Sequence, residues 1–264
     1  MTERSAVAVA HANIALVKYW GKSDRALNLP AVPSISLTLA PLATTTRVTF
    51  DPALHDDCMT FGDRPASADD LARVSESLDS IRALAGVEWR ASVETHNSFP
   101  TASGLASSAS GFAALVTAAA SALALDLPLS TLSALARRGS ASAARSVYGG
   151  FARLPAGVPG DDSLCAVPVA PADHWDVRMI VAVTSEGPKD TASRAGMNRV
   201  ADTSPYYPAW VADAPGIANR AMAAIDARDL ESLGALMELS TMRMHACALA
   251  GDPPLLYWRP ATLA

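Results

Sequence analysis

The sequence predicts an α+β protein of two lobes, and three observations support this fold class. Segments that alternate apolar and polar residues come first along the chain, as half-buried strands do, for example residues 34–39. Segments with helical spacing follow, and then one more apolar strand and further helices. The length of 264 residues suits one large or two modest domains with an ample buried core.

The individual elements follow from local patterns. An apolar stripe predicts a helix over residues 69–84, and an Ala-rich stretch after Gly104 predicts a long buried helix. Ser130 is the expected N-cap of a third helix, which Gly139 ends. The remaining predicted elements are strands 7–19, 44–50, 89–95 and 177–183, and helices 215–227 and 230–248.

Composition excludes several classes of function. The net charge is −5 and no basic patch stands out, so we expect no nucleic-acid partner. The most membrane-like stretch, residues 105–127, consists of Ala, Ser and Gly with few large apolar residues, so we expect a buried helix and no membrane association. The N-terminus lacks the pattern of a signal peptide. The three cysteines are far apart and form no C-x-x-C pair, which fits a reducing cytoplasm.

Lysine is almost absent from this chain. Of the 21 basic residues only Lys18, Lys22 and Lys189 are lysines. A GC-rich codon bias explains the excess of Arg, but it does not explain why these three lysines all fall in polar turns after predicted strands. Their positions therefore mark candidate ligand-binding turns.

The strongest candidate site is the loop that precedes the Ala-rich helix. Pro100 and Gly104 bracket a tight turn, and Ser107 and Ser108 follow where the helix starts. Backbone N–H groups at a helix N-terminus bind anions, and the hydroxyls can contact phosphate or Mg²⁺. No G-K-[ST] follows, so this is not a Walker A loop. The alternative interpretation is a Ser-capped helix that packs through its alanines.

Three further polar clusters interrupt the Ala-rich sequence. Ser140, Ser142 and Arg145 lie between glycines, residues 18–22 combine two lysines with two aromatics, and residues 189–197 carry hydroxyls and cations. An arginine there can bind a carboxylate or phosphate with two hydrogen bonds. Solvated surface arginines and a basic turn are the alternatives. Four such clusters together favour a polyanionic small ligand, whereas the histidines show neither a triad nor metal-ligand spacing.

Residues 13–22, 99–114 and 139–150 resemble specific motifs of the diphosphomevalonate decarboxylase family, which belongs to the GHMP kinase superfamily. Weaker similarity extends the resemblance over nearly the whole chain. It implies a two-lobed GHMP kinase fold with a ribosomal protein S5 domain 2-like N-terminal lobe and an incomplete ferredoxin-like C-terminal lobe. We expect the nucleotide-binding lobe to span residues 1–172 and the second lobe residues 173–264.

The resemblance also implies an activity. It is the ATP-dependent decarboxylation of mevalonate 5-diphosphate to isopentenyl diphosphate, with release of ADP, phosphate and CO₂. ATP and Mg²⁺ are the implied cofactors, and we expect a homodimer. ATP would phosphorylate the 3-hydroxyl, and this phosphate would then leave as the carboxylate is lost. The protein's task would be to hold two highly charged phosphate chains together.

Residue roles follow from the same resemblance. Arg145 resembles the partner of the substrate carboxylate and is expected to be partly solvated, so that its loss would harm activity more than stability. Lys18 lies in the motif with a less defined catalytic role, and Ser108 is placed near the transferred phosphate. Tyr19, Lys22, Ser140, Ser142 and Arg194 resemble substrate-binding residues. The ATP phosphate loop would comprise Ser103, Gly104, Leu105, Ala106, Ser107 and Ser108, the last two also near Mg²⁺.

One departure from the family pattern qualifies these expectations. Family members continue for several dozen residues and carry an Asp-Ala-Gly-Pro-like motif whose Asp the resemblance places near the 3-hydroxyl. No such motif occurs in these 264 residues, so we expect poor or no turnover from the chain as it stands. Two alternative functions remain: another GHMP small-molecule kinase, such as a mevalonate or phosphomevalonate kinase, or a non-catalytic ligand-binding remnant.

Overall fold

The computed structural model describes residues 2–99, 107–183 and 191–263. Within these ranges the chain forms two compact units, each built from separate stretches. Unit one contains residues 2–13, 38–99 and 107–148, and unit two contains residues 14–37, 149–183 and 191–263. The expected Ser103, Gly104, Leu105 and Ala106 of the phosphate loop, and Lys189, lie outside the described residues.

Six strands come first along the chain, and helices predominate after them. The strands are β1 (Arg4–Val17), β2 (Lys22–Asp24), β3 (Leu29–Pro30), β4 (Ser34–Asp51), β5 (Cys58–Phe61), β6 (Arg64–Pro65), β7 (Arg90–Asn97), β8 (Phe151–Leu154) and β9 (Val167–Ala170). The helices are α1 (Ala68–Ala85), α2 (Ser107–Ala122), α3 (Leu129–Gly139), α4 (Ala143–Ser146), α5 (Ser193–Thr203), α6 (Tyr207–Ala227), α7 (Leu230–Leu249) and α8 (Pro260–Leu263). This composition confirms the predicted α+β class.

Unit one is a sheet covered by helices. The strands follow the order β6-β5-β7-β4, and β1 also pairs with β4. The β4–β7 pair is antiparallel with Val48 opposite Val93, whereas β5 and β7 run parallel. Alternate residues of these strands, including Phe50, pack against the apolar faces of α1 and α2. Ser67 caps α1 by accepting the Asp70 N–H, and Gly86 ends it in the left-handed conformation.

Unit two is mainly helical. The first residues of β4 pair with β8, with Ser34 opposite Leu154, and β8 pairs with β9. One core cluster joins Ile35 and Phe151 of these strands to apolar residues of α6 and α7. A second cluster surrounds Trp20 and includes residues of α5, α6 and α7. Both clusters consist of buried apolar side chains in contact, and burial of such surface supplies most of the stabilisation of a unit of this kind.

One predicted strand is wrong. Residues 177–183 have no regular secondary structure, and Ile180 is 93% exposed. Val177 and Met179 still pack against the core of unit two, but the segment as a whole is not the buried strand that its apolar residues predicted. A strand also requires a backbone ladder to a partner, which these described residues do not form.

Other elements differ in their limits. Predicted strands 34–39 and 44–50 are one continuous strand, β4. Helix α3 begins at Leu129 with Pro128 as its N-cap residue, so the predicted cap at Ser130 is wrong. Helix α6 begins eight residues before the predicted start at Pro215, which lies inside it. Within the described ranges, no helix combines the length and the apolar character that crossing a membrane requires.

A buried ion pair ties α1 to the loop before β5. The Arg82 guanidinium donates two hydrogen bonds to Asp57, at 3.0 and 2.9 Å, and two to Asp79, at 3.1 and 2.6 Å. Burial alone would raise the pKa of the Asp57 carboxyl, but hydrogen bonds from Arg82 and from the Ala91 N–H outweigh it and hold this pKa below 3.8. The side chains of Asp57 and Arg82 are 3% and 5% exposed.

We therefore expect Asp57→Asn to lower the free energy of unfolding by about 3 kcal/mol, because it leaves a buried guanidinium with fewer charged partners. Urea denaturation at neutral pH measures this loss, and the exposed neighbour Asp56 supplies the control variant Asp56→Asn. The folded pKa of Asp57 is depressed, so its contribution is present above the ordinary value and is lost as pH falls through the folded value. Equal losses in both variants would contradict the assignment.

Candidate functional site

Unit one contains a pocket of about 560 Å³ at the N-terminus of α2. This volume suits a nucleotide-sized ligand. Hydroxyls and an amide line its floor: Thr44 Oγ1 donates to Asn97 Oδ1 at 2.6 Å and lies 2.6 Å from Ser110 Oγ. The pocket wall also includes Arg73, whose guanidinium lies over the Phe112 ring at 4.8 Å from its centroid.

Ser107 and Ser108 are the first two residues of α2, and both line this pocket. The first turn of α2 carries no acidic residue, so no side-chain anion offsets the helix dipole there. Side-chain hydroxyls and a helix N-terminus at a pocket of this size can hold phosphate oxygens. The structure therefore places these two predicted residues together at a cavity.

The predicted substrate-binding residues of unit one lie in the short helix α4 and the turn before it. Ser140 Oγ and Ser142 Oγ are 3.1 Å apart. Arg145 Nη2 donates to Asn13 Oδ1 at 3.3 Å, and the guanidinium is buried. The three predicted residues thus form one polar cluster that also contains Asn13.

Two findings change the sequence interpretation of this cluster. Arg145 is only 1% exposed, so the expectation of a partly solvated side chain is wrong. Asn13 was not predicted as a site residue, yet its Nδ2 donates to Ser142 O at 3.0 Å and to Ser146 Oγ at 2.7 Å. A polar amide in the apolar strand β1 was the available signal, because buried amides need hydrogen-bond partners.

In unit two, Lys18, Tyr19 and Lys22 lie in the turn that joins β1 to β2, which we call the lysine turn (residues 18–22). The Lys18 ammonium donates to the Ala15 carbonyl at 2.9 Å. All three residues are partly exposed, although the Tyr19 hydroxyl oxygen itself is buried. The structure therefore places the three residues in one turn, and their role as ligand contacts stays a prediction.

Arg194 lies in the first turn of α5, a helix where the sequence predicted a turn. Its side chain is exposed. Helix α5 packs beside the lysine turn, since a Cβ atom on Gly196 would lie 3.6 Å from the Trp20 ring. Unit two thus brings the helix of Arg194 next to Tyr19 and Lys22.

His245 of α7 is a titratable group close to the lysine turn. Trp258 Nε1 donates to His245 Nε2 at 3.2 Å, and the two rings are 4.6 Å apart. Burial lowers the pKa of His245 below 6.5, and the positive charge of Lys18 lowers it further. The folded state therefore favours the neutral imidazole.

This depressed pKa predicts a pH effect on stability. The unfolded chain takes up the proton more readily, so the folded state loses stability as pH falls below 6.5. Replacing His245 with Gln removes the group that takes up this proton. The free energy of unfolding of His245→Gln should therefore fall less than that of the wild type over the same pH range. Urea unfolding at several pH values measures the difference. The exposed His55 supplies the control His55→Gln, and a wild-type-like pH profile for His245→Gln would contradict the prediction.

Family models match two consecutive parts of this chain. A model of the diphosphomevalonate decarboxylase-like N-terminal domain matches residues 10–165, and a model of the mevalonate 5-diphosphate decarboxylase C-terminal domain matches residues 179–261. The diphosphomevalonate decarboxylase of Eremothecium gossypii is 39% identical over 94% of this chain and 66% of its own length. The chain therefore spans about two thirds of this relative.

Solved structures show the same similarity. Mevalonate diphosphate decarboxylase from Staphylococcus aureus is 40% identical, with a TM-score of 0.90 over 98% of this chain and 78% of its own. A structure in complex with MVAPP, AMPPCP and magnesium has 39% identity and a TM-score of 0.90, over 99% of this chain and 80% of its own. These matches confirm the predicted GHMP kinase fold, and the chain belongs to the diphosphomevalonate decarboxylase family.

Proposed function

We propose that this protein catalyses the ATP-dependent decarboxylation of mevalonate 5-diphosphate to isopentenyl diphosphate, with release of ADP, phosphate and CO₂. The observation that carries the proposal is the buried Arg145, whose guanidinium is held by the neutral amide of Asn13. A guanidinium fixed in this way is suited to bind a carboxylate in one orientation. Family membership supplies the reaction class.

The pocket of unit one supports the nucleotide part of the proposal. We assign it to ATP, with Ser107 and Ser108 at the phosphates, and propose Ser103, Gly104, Leu105 and Ala106 as the rest of the phosphate loop. Among the described residues no group of three His, Cys, Asp or Glu side chains could hold a metal. We propose that Mg²⁺ would be held by nucleotide phosphates and by the hydroxyls of Ser107 and Ser108, which are hard oxygen ligands.

The remaining assignments concern the substrate. We propose that Tyr19, Lys22 and Arg194 bind its diphosphate, which the partly or fully exposed cationic side chains favour. Ser140 and Ser142 would bind the mevalonate portion, and Lys18 would add a positive charge near the reacting groups. We also propose that residues 1–172 and 173–264 form the two lobes. The two family models support this division, because one matches residues 10–165 and the other residues 179–261.

In this reaction the protein positions groups more than it reacts with them. Arg145 would hold the carboxylate in place while the bond between C3 and its phosphorylated oxygen breaks. The electrons of the bond between C2 and the carboxylate carbon then form the double bond between C2 and C3, and CO₂ leaves. The helix N-terminus and the hydroxyls of Ser107 and Ser108 would stabilise negative charge on the transferred phosphate. Each role requires a fixed donor, which matches a buried and hydrogen-bonded Arg145.

The experiment is product analysis with ATP, Mg²⁺ and mevalonate 5-diphosphate, on this chain and on the same chain extended by a C-terminal segment that carries the Asp-Ala-Gly-Pro-like motif. We expect poor or no turnover from the chain as it stands, and release of labelled CO₂ with formation of isopentenyl diphosphate from the extended chain. A stable phosphorylated product without CO₂ would instead show one of the alternative kinases. No gain in turnover from the extension would favour the non-catalytic remnant.

Replacing Arg145 with Gln tests the carboxylate assignment. A lost charge-assisted hydrogen bond is worth about 1.5–3 kcal/mol, so kcat/KM should fall roughly ten- to a hundredfold. Because Arg145 is buried, the melting temperature should fall as well. Arg138→Gln on the exposed side of α3 is the control, and a loss of activity no larger than in this control would contradict the assignment.

We further propose a homodimer in the cytoplasm. The three cysteines Cys58, Cys165 and Cys247 are all free, which fits a reducing compartment. Light scattering coupled to size-exclusion chromatography should give twice the mass of one chain, and the mass of a single chain would contradict the dimer.

A further inference from the structure

Two buried side chains from different helices anchor the backbone of the lysine turn. The Lys18 N–H donates to Ser240 Oγ of α7 at 3.0 Å. Trp210 Nε1 of α6 donates to the Trp20 carbonyl at 2.9 Å. Ser240 is fully buried and Trp210 is 3% exposed. Each bond therefore fixes a backbone group where water competes poorly for it.

The chain has little freedom between these two anchors. Gly21 has φ +96°, a conformation that favours glycine, and its carbonyl accepts the Ala31 N–H at 3.0 Å. A Cβ atom on Gly21 would lie 2.1 Å from the Tyr207 hydroxyl oxygen, so the turn contacts the start of α6 directly. The backbone is thus fixed at residues 18, 20 and 21, which flank or adjoin Tyr19 and Lys22.

The hydrogen bond of Ser240 is unusual for a helical serine. Serine and threonine inside helices commonly donate to the carbonyl four residues earlier. The next residue, Thr241, does this with the Met237 carbonyl at 2.7 Å. Ser240 Oγ instead accepts a backbone N–H from a segment 222 residues away in sequence. Its hydroxyl oxygen therefore serves the turn.

We propose that Ser240 and Trp210 are positioning residues, which hold the lysine turn in the conformation that presents Tyr19 and Lys22 to the substrate diphosphate. This inference rests on the proposed function, because it takes the diphosphate of mevalonate 5-diphosphate as the ligand. Both residues act through the backbone of the turn. A displacement of about 1 Å in such a group can cost on the order of a hundredfold in rate.

The variant Ser240→Ala removes one anchor by deleting a single oxygen atom, and Trp210→Phe removes the other together with part of a buried ring. The buried Lys18 N–H or the Trp20 carbonyl then loses its partner, and the turn shifts to regain one. We expect KM and Kd for mevalonate 5-diphosphate to rise roughly tenfold, whereas KM for ATP changes less than about twofold. Such a split between the two ligands would not result from a general loss of stability.

Thr241→Ala is the matched control, because it removes a hydroxyl from the adjacent position of α7. This hydroxyl donates to the Met237 carbonyl of the same helix. It should leave KM for both ligands unchanged. The double variant Ser240→Ala/Trp210→Phe adds a second test. If both residues hold the same turn, their effects on Kd should combine to less than the product of the single effects.

Several outcomes would overturn the proposal: unchanged diphosphate affinity in Ser240→Ala, an equal rise in KM for ATP, or the same loss in Thr241→Ala. Should Trp210→Phe fail to fold, Ser240→Ala decides alone, since it deletes one oxygen atom. Calorimetric binding of mevalonate 5-diphosphate and of inorganic pyrophosphate separates this proposal from the proposed function. A wild type that binds both ligands without releasing CO₂ would contradict only the proposed function. A wild type that binds neither ligand would contradict the proposed function and the positioning role together.

Discussion

Burial of a guanidinium is possible only if hydrogen bonds replace the water that it loses, and this requirement shapes unit one. The chain meets it in two ways. Arg82 is paired with the carboxylates of Asp57 and Asp79, so its charge is neutralised within the protein. Arg145 donates a hydrogen bond to the amide oxygen of Asn13, which helps to orient the guanidinium. In both arrangements, hydrogen bonds within the protein fix the position of a buried cation.

The same requirement explains the serines around Arg145. Asn13 can orient Arg145 only if its own amide group is fixed, and Ser142 and Ser146 accept both of its N–H bonds. Ser146 and Arg145 lie in the four-residue helix α4, which ends at Ser146 with Val147 as its C-cap residue. The buried network therefore accounts for the hydroxyl of Ser146, whereas Ser142 contributes its backbone carbonyl to it.

The sequence predicted best what depends on neighbours along the chain. Helix α1 was found within one residue at each end, because an apolar stripe and a glycine after it are local signals. The segment 177–183 was predicted as a buried strand from its apolar residues, but it is largely exposed and unpaired as described, because a strand also requires a partner that local sequence does not specify. The partnership of Asn13 with Ser142 spans 129 residues and arises only from the fold. The position of Arg145 was predicted from its motif, whereas its burial was not.

Net charge adds a last constraint on how such a protein binds phosphate. At −5 the whole chain repels a polyanion at long range, although salt screens this repulsion beyond a Debye length of about 8 Å. Attraction must then come from contacts shorter than that length, from a few cations, backbone N–H groups and hydroxyls. Contacts of this kind lose their strength when the donors shift, since they cannot rely on a broad field of positive charge. A chain with three lysines therefore gains more from holding the lysine turn rigidly, through Ser240 and Trp210, than it would from additional surface cations.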